Sequence, residues 1–326
     1  MKQDDTHVRG ESAERLGRLD LGGETRERIL PHCRLAPGEV WKDPVRGHRV
    51  GVIDATSADD VKRIMKGYRA ALVVNDPPYN VSVGRKTTSN LFKMKLERYL
   101  EFSRRWIDNA VDIMRDDASL YVWAGADPEG GLQPLADLII LLRGYEALRP
   151  RNLITMRNQR GYGTQKNWMW VRQELLYYVK GNPRFNIAAE YTDIPRILKG
   201  YYKDVGGKKT RNQERSRSEN IRAGNVWVDV QQVFYRMEEN VPGCYAQKPL
   251  KAIERILEAS SAKGDTVADF FAHSGTTLIA GERLGRRVVT FDSDTVFAEI
   301  AIRRLERFRE TGKTGWQWES PFPEVE

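Results

Sequence analysis

Asp76-Pro77-Pro78-Tyr79-Asn80 concentrates more chemistry than any other run in the chain, because a carboxylate and an aromatic ring flank two residues without a backbone N–H. Proline fixes φ and removes its donor, so this turn is expected to present outward carbonyls with no internal partner. The apolar run from Ala70 to Val74 reads as a buried strand delivering the turn at its C-terminal end, where α/β sheets place their ligands. Such a set suits an exocyclic amine: Asp76 and the Pro77 carbonyl each accept one N–H, and Tyr79 stacks on the face of the base. That amine is a poor nucleophile, its lone pair being delocalised into the ring. Two fixed acceptors favour a pyramidal nitrogen whose lone pair attacks a sulfonium methyl in line, through positioning and preorganised electrostatics. Standing alone, the tetrapeptide also fits an ordinary proline-rich turn after a strand.

The second run is Asp269-Phe270-Phe271-Ala272-His273-Ser274-Gly275-Thr276-Thr277, read as a strand end, a tight loop of small residues and a helix start. A loop of that kind lets a nucleotide-like ligand approach the backbone at a helix N-terminus. Asp292, at the end of the next strand, is then placed to hold two ribose hydroxyls. The full G-x-G-x-x-G spacing is missing, so an adenosyl site is one reading of the loop and a plain strand-loop-helix turn is the other.

The elements that must position these residues alternate. Val50 to Ala55 reads as a short strand carrying Asp54, and Ser57 caps a helix from Asp59 to Lys66. A helix is expected from Leu96 to Met114, a strand from Ser119 to Ala124, a helix from Leu132 to Leu142, and strands from Arg151 to Thr155 and Glu174 to Val179. The pattern resumes with a helix from Leu250 to Ser260, a strand from Thr266 to Phe270, a helix from Thr276 to Leu284, a strand from Arg287 to Phe291 and a helix from Val296 to Phe308. This alternation predicts an α/β, doubly wound, Rossmann-like sheet, largely parallel, with helices on both faces. Residues 1–40 show little periodicity and read as an N-terminal arm without chemistry. Residues 41–180 form the half with the proline turn and 241–326 the half with the small-residue loop. Between them, 181–240 is a polar, basic, weakly periodic segment read as a small inserted module. It carries Lys199, Lys203, Lys208, Lys209, Arg211, Arg215, Arg217 and Arg222.

With 53 Lys and Arg against 45 Asp and Glu, the formal charge is +8 over 326 residues, which fits a polyanionic partner without requiring one. No apolar run reaches the ~20 residues that span a bilayer, so a cytoplasmic protein is expected. Cys33 and Cys244 are too few for a disulfide framework and unclustered, and one histidine among four at the loop does not make a metal site.

The segments Gln247-Lys248-Pro249-Leu250, Gly264-Asp265, Asp269 to Thr277, Leu284-Gly285-Arg286-Arg287 and Asp292 to Leu305 together resemble the C-terminal half of the DNA amino-methyltransferases. Asp76 to Tyr79 resembles their catalytic motif. The order, catalytic motif first and cofactor loop last, is similar to the β group of that family, and the resemblance runs from about Val50 to Arg307. It implies S-adenosylmethionine as cofactor and double-stranded DNA as substrate. Asp76 with Pro77 and Pro78 would form the catalytic turn, Tyr79 would stack on the base and Asn80 would line the same pocket. It places the cofactor against Phe271, Ala272, His273, Ser274, Gly275 and Thr276 after Asp269, with Asp292 at the ribose and Lys248-Pro249 near the methionine end. Asp54 resembles the family's Gly-Asp position, with Ile53 in place of the glycine. His273 stands where that family has the middle glycine of F-x-G-x-G, and its side chain is expected to face solvent or lie on the cofactor. By location, 181–240 resembles the target-recognition region.

Asp rather than Ser before Pro-Pro-Tyr is usual in the adenine-N6 members, so methylation of adenine N6 in a flipped-out base is the first reading. Cytosine-N4 methylation on the same scaffold is the alternative, and a DNA-binding protein with a degenerate cofactor loop is the rival from another class. Cytosine-C5 chemistry is disfavoured because it needs a cysteine nucleophile, and neither Cys33 nor Cys244 lies in a Pro-Cys context. A homodimer and a cognate restriction endonuclease are partners that the resemblance alone suggests.

Overall fold

The computed structural model describes residues 16–21, 23–80, 94–127, 131–162, 168–186, 191–195, 201–212, 220–222 and 224–325. In chain order the strands are β1 (Val40–Lys42), β2 (Arg49–Val52), β3 (Ala70–Asn75), β4 (Met114–Ala124), β5 (Ala126–Asp127), β6 (Gln133–Pro134), β7 (Arg149–Tyr162), β8 (Trp170–Lys180), β9 (Tyr191–Pro195), β10 (Tyr201–Val205), β11 (Lys208–Asn212), β12 (Asn220–Arg222), β13 (Val226–Trp227), β14 (Thr266–Asp269) and β15 (Arg287–Asp292). The helices are α1 (Glu24–Ile29), α2 (Ala58–Met65), α3 (Leu96–Ile113), α4 (Leu135–Arg143), α5 (Leu250–Ser260), α6 (Thr276–Leu284) and α7 (Thr295–Thr311). None of the described helices is long and apolar enough to cross a membrane.

Nine strands form one sheet in the order β1-β2-β15-β14-β3-β4-β8-β7-β13. From β2 to β4 all neighbours run parallel, while β1 pairs antiparallel with β2, β8 with β4 and β7 with β8. Every residue of β2, β3 and β14 is buried, as expected of strands covered on both faces. Side-chain alternation sorts them: Leu72, Val74, Val267 and Val288 join a core with α5, α6 and α7, whereas Val73, Ala268 and Val289 join one with α2, α3 and α4. The doubly wound expectation therefore holds, with the α3 crossover on one face and the α6 crossover on the other. Their strands, β3 and β14, lie side by side, so the crevice between crossovers opens at the C-terminal ends of these two strands.

Local signals set the main boundaries. Ser57 Oγ accepts the Asp60 N–H at 3.4 Å to start α2, and Lys66 in the left-handed region ends it. Glu239 lends its carboxylate to the Leu250 N–H at 2.7 Å, capping α5 from eleven residues upstream.

Three expectations are corrected. The described part of residues 1–40 is no loose arm: Leu19 and Ile29 are buried with Val296, Phe297, Ile300, Trp316 and Phe322 in a third cluster beside α7. Such a cluster forms because the outer face of α7 is apolar and the sheet covers only its inner face. The sheet is largely parallel as expected, but two of its strands depart from their expected lengths. β7 and β8 are longer than the apolar runs suggest, since a hairpin pair keeps its hydrogen-bond ladder beyond the point where its side chains leave the core. Finally, 181–240 holds two antiparallel ribbons, β10-β11 and β9-β12, plus β13 on the sheet edge, where the sequence shows little periodicity. Lys199, Arg215 and Arg217 lie outside the described residues.

Candidate active site

Strand β3 carries Asn75, fully buried, whose Oδ1 accepts the Phe270 N–H at 3.0 Å. This bond spans the crevice and holds the proline turn in register with the small-residue loop. Immediately beyond, Asp76 is engaged on both oxygens: Tyr79 Oη donates to Oδ1 at 2.7 Å and Lys248 Nζ to Oδ2 at 2.6 Å. The Lys248 ammonium also stands over two ring faces, 5.1 Å from the Tyr79 centroid and 5.3 Å from that of Trp123. Its side chain is 7% exposed, so carboxylate, phenol and rings together replace its hydration.

One carbonyl of the turn departs from expectation. Pro78 O accepts the Tyr99 hydroxyl of α3 at 2.9 Å, which anchors the turn, while no donor reaches Pro77 O among the described residues. Gly125, at the end of β4, makes room for Tyr79: a Cβ there would sit 2.6 Å from Tyr79 Cβ. Asn80, at φ +52°, gives its amide to Met94, accepting the backbone N–H at 2.7 Å and donating to the carbonyl at 3.1 Å. It thus ties residue 80 to residue 94 and does not line the pocket expected for it.

The loop after β14 is shaped from below. Gly275 has φ +74°, and a Cβ on it would lie 2.8 Å from Ala301 Cα of α7, so the loop and α7 touch backbone to backbone. Arg304, fully buried on α7, donates to Ser274 O at 2.8 Å, Thr276 Oγ1 at 3.0 Å and Glu239 O at 3.1 Å, and also to Thr314 O. Burial pulls its guanidinium down to about 10, which leaves it charged at neutral pH. Thr276 Oγ1 also donates to Lys248 O at 3.2 Å, tying the loop to the Lys248-Pro249 corner that begins α5.

Asp292, at the end of β15, accepts the backbone N–H of His273 at 3.0 Å on one oxygen and that of Asp294 at 3.1 Å on the other. Asp269 accepts the Phe271 N–H at 3.0 Å. Burial pushes both carboxyls up to about 7, each also feeling a neighbouring carboxylate. His273 adopts φ +43°, and its ring lies 4.8 Å from that of Phe297. The partly buried ring packs on Phe297 of α7, and the residue lines the crevice pocket. Burial draws its pKa down to about 4, so it adds no charge to the site at neutral pH.

Asp76, Lys248, Asp269, Phe271, Ala272, His273, Ser274 and Thr276 thus line one pocket, and Asp292 supports its floor through His273. Asp54 sits at the same sheet edge, beyond β2, with its carboxylate on Thr56 N and Oγ1 and outside the pocket lining. Pro249 precedes α5 without lining the pocket. Phe271 packs edge-on against Trp106 of α3. Trp123 lines the pocket unforeseen, fully buried and with its indole N–H unpaired among the described residues. As one residue of an apolar strand it reads as core. Arg26 was also not foreseen; it reaches Asp294 at 2.6 Å, beside Asp292. Both thiols are raised by burial, Cys33 to about 12, and no described group of side chains is arranged to hold a metal ion.

Chemically, the arrangement offers one carboxylate and one carbonyl at a rigid turn facing, across a narrow crevice, a loop and carboxylate fit for a nucleoside. A family model described as DNA methylase matches residues 70–303. Type II methyltransferase M1.MboII of Moraxella bovis is 30% identical over 251 residues, covering 72% of this chain and 90% of that one. Type II methyltransferase M.HpaI of Haemophilus parainfluenzae is 25% identical over 235 residues, 72% of this chain and 68% of its own. Among solved structures, the cytosine-N4-specific PvuII DNA methyltransferase superposes with a TM-score of 0.54 over 83% of this chain and 89% of that chain. At 12% identity that likeness establishes the fold.

Proposed function

The chain belongs to the DNA methylase family whose model spans 70–303, and from that premise we propose that it transfers a methyl group from S-adenosylmethionine to N6 of adenine in double-stranded DNA. The observation that carries this reading is the pairing of Asp76 at the crevice with the Pro77 carbonyl, which no donor reaches among the described residues, opposite the loop from Phe271 to Thr276. Two acceptors a turn apart match the two N–H bonds of an exocyclic amine, and Asp rather than Ser at 76 favours adenine over cytosine.

The pocket fits the proposed cofactor. The faces of Tyr79 and Trp123 already stand against one cation, the Lys248 ammonium, and a sulfonium makes the same demand of ring faces. Asp292 keeps lone pairs free beyond the two N–H groups it accepts, enough for ribose hydroxyls. When bound, the cofactor would supply an electrophilic sulfonium methyl, the S–C bond giving way to the new N–C bond and leaving a neutral thioether. Asp76 and Pro77 would orient the amine so that its lone pair points at that methyl. Asp76 is the group placed to take the proton released. Flipping the base costs a few kcal/mol, and stacking on Tyr79 returns about 1–3 kcal/mol. The basic 181–240 segment is assigned to the DNA backbone and to target recognition.

The test is transfer of labelled methyl to mixed-sequence duplex DNA, followed by digestion and identification of the modified nucleoside. N6-methyladenine is expected. N4-methylcytosine would replace the base assignment, and no transfer to DNA would overturn the reading. In the same assay system, His273→Gly is expected to alter cofactor affinity by less than about threefold, under about 1 kcal/mol, because the ring rests on Phe297 and its contact with Asp292 is through the backbone. A loss beyond tenfold in a calorimetric titration would give the imidazole a direct part in binding.

A further inference from the structure

The β7-β8 hairpin overhangs the crevice side of the sheet and carries two large exposed hydrophobic side chains at its end. β8 pairs antiparallel with β4, and Glu174 faces Ala124, the last residue of β4. Residues 170–173 therefore project past the sheet edge from which Asp76 and Tyr79 emerge, carried by their pairing with β7. β8 stands two strands from β3, about 10 Å away, and at about 3.3 Å per residue Trp170 lies about 13 Å beyond Glu174. The chain enters β8 through Trp168 and Met169, which are 94% and 63% exposed. The root of the overhang is basic: Arg157 and Arg172 stand directly opposite each other, both exposed. Like charges so placed destabilise a ladder. One carboxylate, Glu174, reaches Arg172 at 2.6 Å, and a polyanion lying along the hairpin would offset the rest.

A duplex whose target base has left the stack holds a gap between two uncovered base faces, and that gap is part of the cost of extrusion. Flat or apolar side chains at a reachable tip fit it, since bases stack on aromatic rings and residues such as Met wedge between unstacked steps. We propose that Trp168, flanked by Met169, enters the duplex at the target step and fills the place of the extruded base, with Arg157 and Arg172 against the phosphates beside it. The proposal rests on the reading of the chain as a DNA methyltransferase that acts on a flipped-out base. It gives the hairpin a part in extrusion, before the methyl moves, and none in holding the cofactor. No sequence preference is required of the wedge, because every base offers a face to stack on.

The experiment measures single-turnover transfer of labelled methyl to mixed-sequence duplex DNA, at saturating DNA, by the full wild-type chain, Trp168→Ala and Trp168→Phe. Affinity for S-adenosylmethionine is titrated on each preparation. Trp168→Ala is expected to slow transfer at least about tenfold and Trp168→Phe less than about threefold, with cofactor affinity within about twofold of wild type in both. Transfer by Trp168→Ala within about threefold of wild type overturns the wedge and leaves the methyltransferase reading standing. Equal slowing in the two variants also overturns it, because a phenyl ring still stacks. A matching loss of cofactor affinity makes Trp168 a structural residue and sinks the wedge as well. Unchanged transfer with a lower mass by sedimentation in Trp168→Ala would assign the tip to contact between copies of the chain instead. Failure of the wild type to methylate any DNA removes the reading on which the wedge rests, and the wedge with it.

Discussion

Asp76→Ala is expected to lower the rate of methyl transfer by at least about a thousandfold while cofactor affinity holds within about threefold. Removal of one preorganised partner from a reacting centre costs about 10²–10³ in rate. Asp76 is assigned two tasks, orienting the amine and taking its proton. The loop that faces it is held by Asp292, Arg304 and Asn75, none of which leans on the Asp76 carboxylate. Single-turnover transfer and a binding titration on the same preparation check the split. Equal losses in both would make Asp76 a structural tie between Tyr79 and Lys248 and nothing more.

Arg304→Met should be the most damaging single change to stability among the residues around the site. The guanidinium satisfies three carbonyls and one hydroxyl in a fully buried place, joining the cofactor loop to 239 and 314. Methionine keeps the volume and strands those acceptors, each costing about 1–3 kcal/mol when left unpaired. Local relaxation lowers the sum, and a net loss of about 4 kcal/mol is expected, a fall of roughly 8 °C in Tm for a chain of this size. Thermal unfolding followed by circular dichroism measures it. A shift under about 2 °C would mean that water reaches these carbonyls, and that the loop does not depend on α7 for its shape.

Much of this site is visible in the residues before any coordinates. Helices α5 and α6 begin and end where the apolar spacing puts them, because Lys248-Pro249 and Gly275 are local start signals and Gly285 a local stop. Strand β3 and its proline turn are equally plain, since a fully buried strand reads as an unbroken apolar run. What escapes is non-local. Trp123 lines the pocket only because β4 lies beside β3, and Asp76 meets Lys248 across 172 positions of chain. The packing of Leu19 and Ile29 on α7 is likewise decided by a surface made elsewhere. The ribbons of 181–240 escape for another reason: short two-stranded pairs outside the main sheet carry no strong apolar alternation in their sequence.

The two carboxyls that burial lifts to about 7, Asp269 and Asp292, have a consequence outside the reaction. A carboxyl raised from an ordinary value of 3.8 favours the folded chain at acid pH, and that contribution drains away as pH climbs toward 7. Near neutrality the empty chain therefore carries two reluctant charges at the heart of its sheet edge. A ligand that binds only the folded form offsets this by mass action, by about 2.7 kcal/mol at a hundred times its Kd. In a cell, the molecules that unfold and meet proteases first are those without methyl donor. The lifetime of the protein, and not only its turnover, should then follow the supply of the donor.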